Sequence, residues 1–211
     1  MNITVLGATG RTGRPLVDEL LARGHRVTAL VRDPTTYLAP DGVTVVAGHS
    51  RDPAALAAAV VGADAVVSAL GPVQKDATLH RDTARALIPV MTEHGVPRFV
   101  GVSGAGIDVP GDAKNRSARA ISWAIRTFGG EVARDKLEEY AAYAASELDW
   151  TLVRPPRLTD GPRTGSVDHD AHQSLRATSL SRADLAVFLV DVTEQHLHPR
   201  AAPFAASGKP N

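Results

Sequence analysis

Gly7-Ala8-Thr9-Gly10-Arg11-Thr12-Gly13 is the stretch that decides the fold of this chain. It follows a short apolar run, Ile3-Thr4-Val5-Leu6, of buried-strand type. It precedes Arg14-Pro15-Leu16-Val17-Asp18-Glu19-Leu20-Leu21, whose apolar positions recur at helical spacing. Strand, glycine turn and helix in that order open a dinucleotide-binding fold. The turn needs residues without a Cβ where the backbone bends sharply or meets a ligand. The helix start then offers unpaired N–H groups and a positive dipole end to a pyrophosphate. The spacing is G-x-x-G-x-x-G, which departs from the commoner G-x-G-x-x-G. A glycine turn between strand and helix also occurs without a ligand, so the flanking elements carry the reading.

Composition sets the bounds. A chain of 211 residues has room for one large α/β domain with a substantial core. Its 44% hydrophobic and 22% charged residues are an ordinary globular balance. Formal net charge is zero, which argues against nucleic-acid binding through a basic surface. With no cysteine there is no disulfide framework, thiolate nucleophile or cysteine-ligated metal. The chain enters a strand at once, without the basic region and cleavage site of a signal peptide, and no apolar run is long enough to span a membrane. The expected location is the cytoplasm.

Beyond the first helix, strands and helices alternate. Arg26–Val31 reads as a second strand with Arg32-Asp33-Pro34 at its end. An acidic residue there accepts hydrogen bonds from the ribose of NAD, whereas arginine suits the 2′-phosphate of NADP. Arg32 points to NADP(H), with Arg11 as a second group for the same phosphate; the alternative has Asp33 on the ribose. Strands are also expected at 43–47, 63–70, 98–103 and 150–154, the fourth ending at Gly71-Pro72. Helices are expected from Pro53, capped by Asp52 or Ser50, and over 78–94, where Pro89 should kink or split the helix. Further helices are expected over 118–128, 131–147 and from Ser181 to about Glu194, and 201–205 reads as a final edge strand. Segments 104–130 and 157–178 are the least regular and are expected to shape a substrate site. Trp123 and Phe128 fall in the first of them, with lining the pocket, pinning the core and meeting another subunit as open alternatives. The whole reads as one domain over 1–211, a Rossmann-type doubly wound, mainly parallel sheet with helices on both faces.

Four segments carry a family resemblance: the glycine turn, Leu30-Val31-Arg32-Asp33-Pro34, Phe99-Val100-Gly101-Val102-Ser103, and Leu148-Asp149-Trp150-Thr151-Leu152-Val153-Arg154-Pro155-Pro156. On these the chain resembles the atypical short-chain dehydrogenases/reductases, and within them the small NAD(P)H-binding group that includes biliverdin reductase B (flavin reductase) and the NmrA-like proteins. The resemblance implies a pyrophosphate held by Gly7, Gly10 and Gly13, with donors from Thr9, Arg11 and Thr12. It implies the 2′-phosphate on Arg32, the adenosine part beside Ala69 and Leu70, and the nicotinamide end at Ser103 and Pro155. Lys136 matches the lysine of the superfamily's Tyr-x-x-x-Lys pair, so Ser103 and Lys136 are its candidate catalytic groups.

Two departures matter. The tyrosine of that pair would stand at 132, which is Val132 and cannot deliver a proton. Tyr140, one turn beyond Lys136, would be an unusual substitute. His49 stands where related proteins often carry an adenine-binding aspartate, leaving adenine to backbone groups around Ser50 or Arg51. The histidine pairs 169/172 and 196/198 lack a third ligand in frame, so no metal is expected; His169 and His172 remain candidates for the substrate mouth. Gly101-Val102-Ser103-Gly104-Ala105 misses the last glycine of a nucleophile elbow, which excludes that hydrolase motif.

Three functions follow as expectations. The first is an NADPH-dependent oxidoreductase passing hydride to a flavin or other conjugated small-molecule acceptor, acting as a monomer or a homodimer without nucleic-acid or membrane partners. The second is an NmrA-like NADP(H)-binding redox sensor without turnover, with Lys114-Asn115-Arg116 and the exposed aromatics facing a protein partner. The third is a ketone reductase or isomerase of specialised metabolism that recruits Ser103, Lys136 or Tyr140.

Overall fold

The computed structural model describes residues 1–71 and 76–208; Pro72, expected to close a turn, lies outside them. Six parallel strands form the central sheet: β1 (Asn2–Leu6), β2 (Arg26–Val31), β3 (Val43–Ala47), β4 (Ala65–Ser68), β5 (Arg98–Val102) and β6 (Asp149–Val153). Their order is β3-β2-β1-β4-β5-β6. The order reverses between β1 and β4, and in such sheets the ligand crevice lies outside the carboxyl ends of the strands at that reversal.

Period-two alternation explains the two cores. Ile3 and Val5 of β1 face one side with Val27, Ala29 and Val67. They pack against α1 (Gly13–Ala22) and α6 (Arg182–Glu194) through Leu16, Leu20, Phe188 and Leu189. Leu6, Val66 and Phe99 face the other side with Leu56, Leu87, Met91 and Tyr143. Those residues come from α2 (Pro53–Val60), α3 (Leu79–Glu93) and α5 (Gly130–Ala144). The cap of α2 is Asp52, whose carboxylate accepts from the Ala54 N–H; Ser50 instead bonds Thr83.

Four expectations are corrected. Helix α3 runs unbroken through Pro89 rather than splitting there. Pro89 and Arg85 both lie on the exposed face, so the carbonyl left unpaired by proline is within reach of water. Buried Leu87 and Met91 hold the helix to the core on either side of it. Segment 157–178 holds two short strands, β7 (Arg157–Thr159) and β8 (Val167–Asp170). Strand β7 pairs with β9 (Ser179–Ser181), and β8 pairs antiparallel with β10 (Phe204–Ser207). The final strand therefore starts later than expected and joins β8, while residues 201–204 run beside β6 through single bridges. Finally, α4 (Arg116–Phe128) begins two residues early, because the Asn115 side chain caps it on the Ala118 N–H.

Candidate active site

Gly7 ends β1 with φ +78, and a Cβ there would stand 3.0 Å from the backbone of Ala69 and Leu70. The end of β4 therefore passes directly over the glycine turn. The Gly10 N–H closes that turn on the Gly7 carbonyl at 3.0 Å. A Cβ on Gly13 would run into the same carbonyl oxygen, so α1 starts against the turn only because residue 13 has no side chain. Thr12, the N-cap of α1, makes no side-chain cap bond; the Arg14 N–H is taken by the Gly10 carbonyl at 3.0 Å, so the turn itself closes on the start of the helix. A cavity of about 160 Å³ opens here, lined by Gly7, Thr9, Gly10, Arg32, Ala69 and Leu70. This cradle fits a dinucleotide pyrophosphate.

At the far end of that cavity, Arg32 is exposed and bonds no group among the described residues. Asp33 is committed elsewhere: its Oδ1 accepts from Thr35 N at 3.0 Å and from Thr35 Oγ1 at 2.6 Å, capping the short turn Pro34–Thr36. His49 also lines the cavity, and its Nδ1 accepts from the Arg51 N–H. The Arg51 side chain is ion-paired with Asp76. Arg11 does not line the cavity; it reaches Asp160 at 3.4 Å, where Arg182 binds the other carboxylate oxygen at 2.7 Å.

The carboxyl end of β5 gathers the other expected groups. Ser103 N–H bonds the Val153 carbonyl at 2.8 Å, and the Ser103 hydroxyl is buried with no hydrogen-bond partner among the described residues. Lys136 Nζ donates to the Val102 carbonyl at 2.9 Å and to Glu139 at 3.0 Å, leaving one of its three N–H groups. Burial lowers the Lys136 pKa, and neighbouring Glu139 only partly offsets this. Val132 sits one turn earlier on α5, partly exposed. Tyr140 is turned into the core, its ring edge-on to Trp150 at 5.7 Å.

A buried pair here has no signal in the sequence. His80 Nδ1 lies 2.7 Å from Asp135 Oδ2, and its Nε2 lies 3.3 Å from the Leu70 carbonyl. Asp135 also accepts from the N–H groups of His80 and Arg81, capping α3 from α5. Burial raises the Asp135 pKa, but the bonds from His80 and the two N–H groups hold it below the usual carboxylate range. The 55 residues between the partners hide the contact from any local pattern.

The second cavity, about 420 Å³, is the size of a small-molecule site. Both expected substrate segments line it, together with the C-terminal residues Phe204–Ala206. Its walls are chiefly apolar, with Ile121, Ile125, Leu175, Pro155 and Pro156 prominent. The Pro155 carbonyl accepts from Ala105 N–H at 3.0 Å, joining the two segments at the sheet edge. They meet again where Ala113 N–H bonds the His172 carbonyl at 2.9 Å and Asn115 N–H bonds Ser174 Oγ at 2.9 Å.

Arg154 closes one wall of the cavity and is fully buried. It pairs with both oxygens of Asp112 at 2.7 Å, donates to the Ala202 carbonyl at 2.6 Å and lies over the Phe204 ring at 3.8 Å. Lys114, expected on a partner-facing basic loop, is instead buried, bonded to the Ile107 carbonyl, Asp108 and Ser122. His169 is not at the mouth of this cavity; it packs on Phe188 and bonds His198 at 2.8 Å. Of the α4 side chains, Ile121 and Ile125 line the cavity, while Trp123 and Phe128 are exposed with their rings 6.1 Å apart.

With this geometry in view, comparison with known proteins is direct. Residues 7–196 match the NAD(P)H-binding family over nearly the whole chain. The chain belongs to the NAD(P)H-binding family. The resemblance read from the sequence to an NAD(P)H-binding group is thus borne out. A Burkholderia pseudomallei protein, provisionally described as exported, is 32% identical, with a TM-score of 0.78 over 98% of this chain and 99% of its own. A short-chain dehydrogenase/reductase from Veillonella parvula in complex with NADP is 20% identical, with a TM-score of 0.82 over 99% and 95%. ChuY, an anaerobillin reductase from Escherichia coli O157:H7, is 24% identical, with a TM-score of 0.81 over the full length of both chains. The latter two share the fold. Among the described residues, no helix is long and apolar enough to cross a membrane.

Proposed function

We propose that this protein is an NADPH-dependent reductase whose acceptor is a conjugated molecule, such as a flavin, seated in the larger cavity. The observation that carries the reading is an apolar cavity at the carboxyl edge of the sheet, bordered by Pro155 beside Ser103, with valine where a proton-donating tyrosine would stand. The cofactor would supply a hydride from nicotinamide C4, and a proton from water would complete the two-electron reduction of the acceptor. A conjugated ring accepts that proton without a dedicated acid, whereas a simple ketone needs one. The chain's own work is placement and water exclusion. The glycine cradle would hold the pyrophosphate, while the buried Ser103 hydroxyl and the remaining Lys136 N–H stand at the end of β5 without lining either cavity. ChuY, which shares the fold, is an anaerobillin reductase.

NADP(H) is favoured over NAD(H) by Arg32 being unpaired while Asp33 caps its own turn. Arginine and a 2′-phosphate make a charge-assisted pair. Arg32→Ala is therefore expected to raise the KM for NADPH roughly tenfold, about 1.4 kcal/mol, and the KM for NADH less than about threefold. Steady-state NADPH oxidation with FMN as acceptor and NADH as control measures both the activity and this split. Equal losses for the two cofactors would remove Arg32 from the phosphate site. The exposed Trp123 and Phe128 favour a second reading, a sensor with a protein partner; NADPH binding without turnover across flavins, quinones and ketones is the result it requires.

A further inference from the structure

The chain as a whole is electrically balanced, with 23 basic and 23 acidic residues. The larger cavity is not. Of the residues that line it, three are arginines and none is aspartate or glutamate. Arg154 is neutralised by its two bonds to Asp112. Arg157, the first residue of β7, and Arg176 are both exposed, and neither bonds any group among the described residues. Two uncompensated guanidinium groups thus border an otherwise apolar space. A cleft lined by one sign of charge with apolar walls concentrates its field. Guanidinium also presents paired N–H donors that match a carboxylate or a phosphate.

We infer that the cavity selects an anionic acceptor: a flat apolar body against Ile121, Ile125 and Leu175, with a carboxylate or phosphate held at the rim by Arg157 and Arg176. This rests on the proposal that the cavity is the acceptor site, and it narrows the acceptor from any conjugated molecule to one carrying negative charge. The charge serves binding and orientation alone, so the electron balance of the reduction is unchanged.

The test separates charge from shape. The NADP⁺-saturated protein is titrated with 8-anilinonaphthalene-1-sulfonate and with N-phenyl-1-naphthylamine, fluorescent probes that share one aromatic body and differ by the sulfonate. The anionic probe is expected to bind at least about tenfold more tightly, as a charged hydrogen bond implies. Arg157→Gln with Arg176→Gln should bring the ratio close to one, and Arg157→Lys with Arg176→Lys should keep most of it. Thermal melting shows that the variants are folded. Displacement of the anionic probe by 2-naphthoate or by FMN then tells carboxylate from phosphate, with riboflavin as the uncharged counterpart of FMN. Equal affinity for the two probes, no binding of either, or a ratio unmoved in the glutamine variant would each overturn the inference. Because binding is read without turnover, charge selection in a protein that turns over no flavin, quinone or ketone would sink the reductase proposal and leave the anion site standing.

Discussion

Gly13→Ala is expected to weaken NADPH binding at least a hundredfold, a loss of about 2.7 kcal/mol. The added Cβ runs into the Gly7 carbonyl oxygen and crowds the backbone of Gly7 and Ala8. Those atoms are backbone and cannot swing aside, so α1 must retreat from the turn or the turn must open. Either movement carries the helix N-terminus away from the pyrophosphate, whose binding depends on close approach. Overpacking should also lower stability by about 1–3 kcal/mol. Isothermal titration with NADPH and thermal melting of the same samples separate the two effects. Gly10→Ala is the graded comparison, because its Cβ would stand 3.2 Å from the Gly7 oxygen, a tight but smaller intrusion. A Gly13→Ala protein that binds NADPH like wild type would mean that the cofactor does not use this cradle.

Arg154→Met should be the most destabilising single change outside the glycine turn, costing about 3–5 kcal/mol. The side chain is fully buried, and its loss takes both guanidinium bonds from the Asp112 carboxylate and the side-chain donor from the Ala202 carbonyl. For a chain of this size that corresponds to a melting point lower by roughly 10 °C. The pH dependence gives the cause. Burial raises the Asp112 pKa, but Arg154, the Val109 N–H and Lys114 together hold it below the ordinary carboxylate value. A carboxyl depressed on folding stabilises above its unfolded pKa, and that stabilisation is lost as pH falls through the folded value. The wild-type pair therefore contributes fully at neutral pH and fades below about pH 4. Without Arg154 the Val109 N–H and Lys114 remain, but the largest opposition to burial is gone and the Asp112 pKa rises. The gap in stability between wild type and variant should therefore narrow in acid, and urea unfolding at pH 7 and below pH 4 measures it. Adding Asp112→Leu should recover part of the loss at neutral pH, since the orphaned charge is then gone.

Local chemistry explains which features could be read from the chain. The turn 7–13, strands β2 and β3 and the Asp52 cap all announce themselves through contiguous residues, and the structure places them there. Arg32 and the glycines are legible as a cofactor cradle because a strand-turn-helix unit needs no distant partner. What stayed hidden depends on residues far apart in sequence. Strands β8 and β10 pair across more than thirty residues and show no clean alternation, so neither stands out alone. His80 reaches Asp135 across 55 residues, and Arg154 reaches Asp112 across 42. Pro89 misled for the opposite reason: a strong local rule against proline in helices yields to packing when the affected face meets water. Lys114 looked like a solvated cation because charge is usually exposed, and only the fold supplies the acceptors that bury it.

The bonds between the two cavity segments bear on how this site can be redesigned. Ala113 is tied to His172, Asn115 to Ser174 and Ala105 to Pro155, at opposite limits of the same walls. All three donors in 104–130 are backbone N–H groups, so a chimera that imports that stretch from a relative keeps the fastenings as long as no proline falls at 105, 113 or 115. On the proposed reading, the side chains of 104–130 that face the cavity can therefore be exchanged while the segment's backbone path is kept, with Ser174 the one side-chain partner to retain. Among the described residues, the glycine cradle shares no bond with 104–130 or 157–178 except the weak, exposed reach of Arg11 to Asp160. On the proposed reading, residues that would set the cofactor and residues that would set the acceptor can be varied apart on this scaffold.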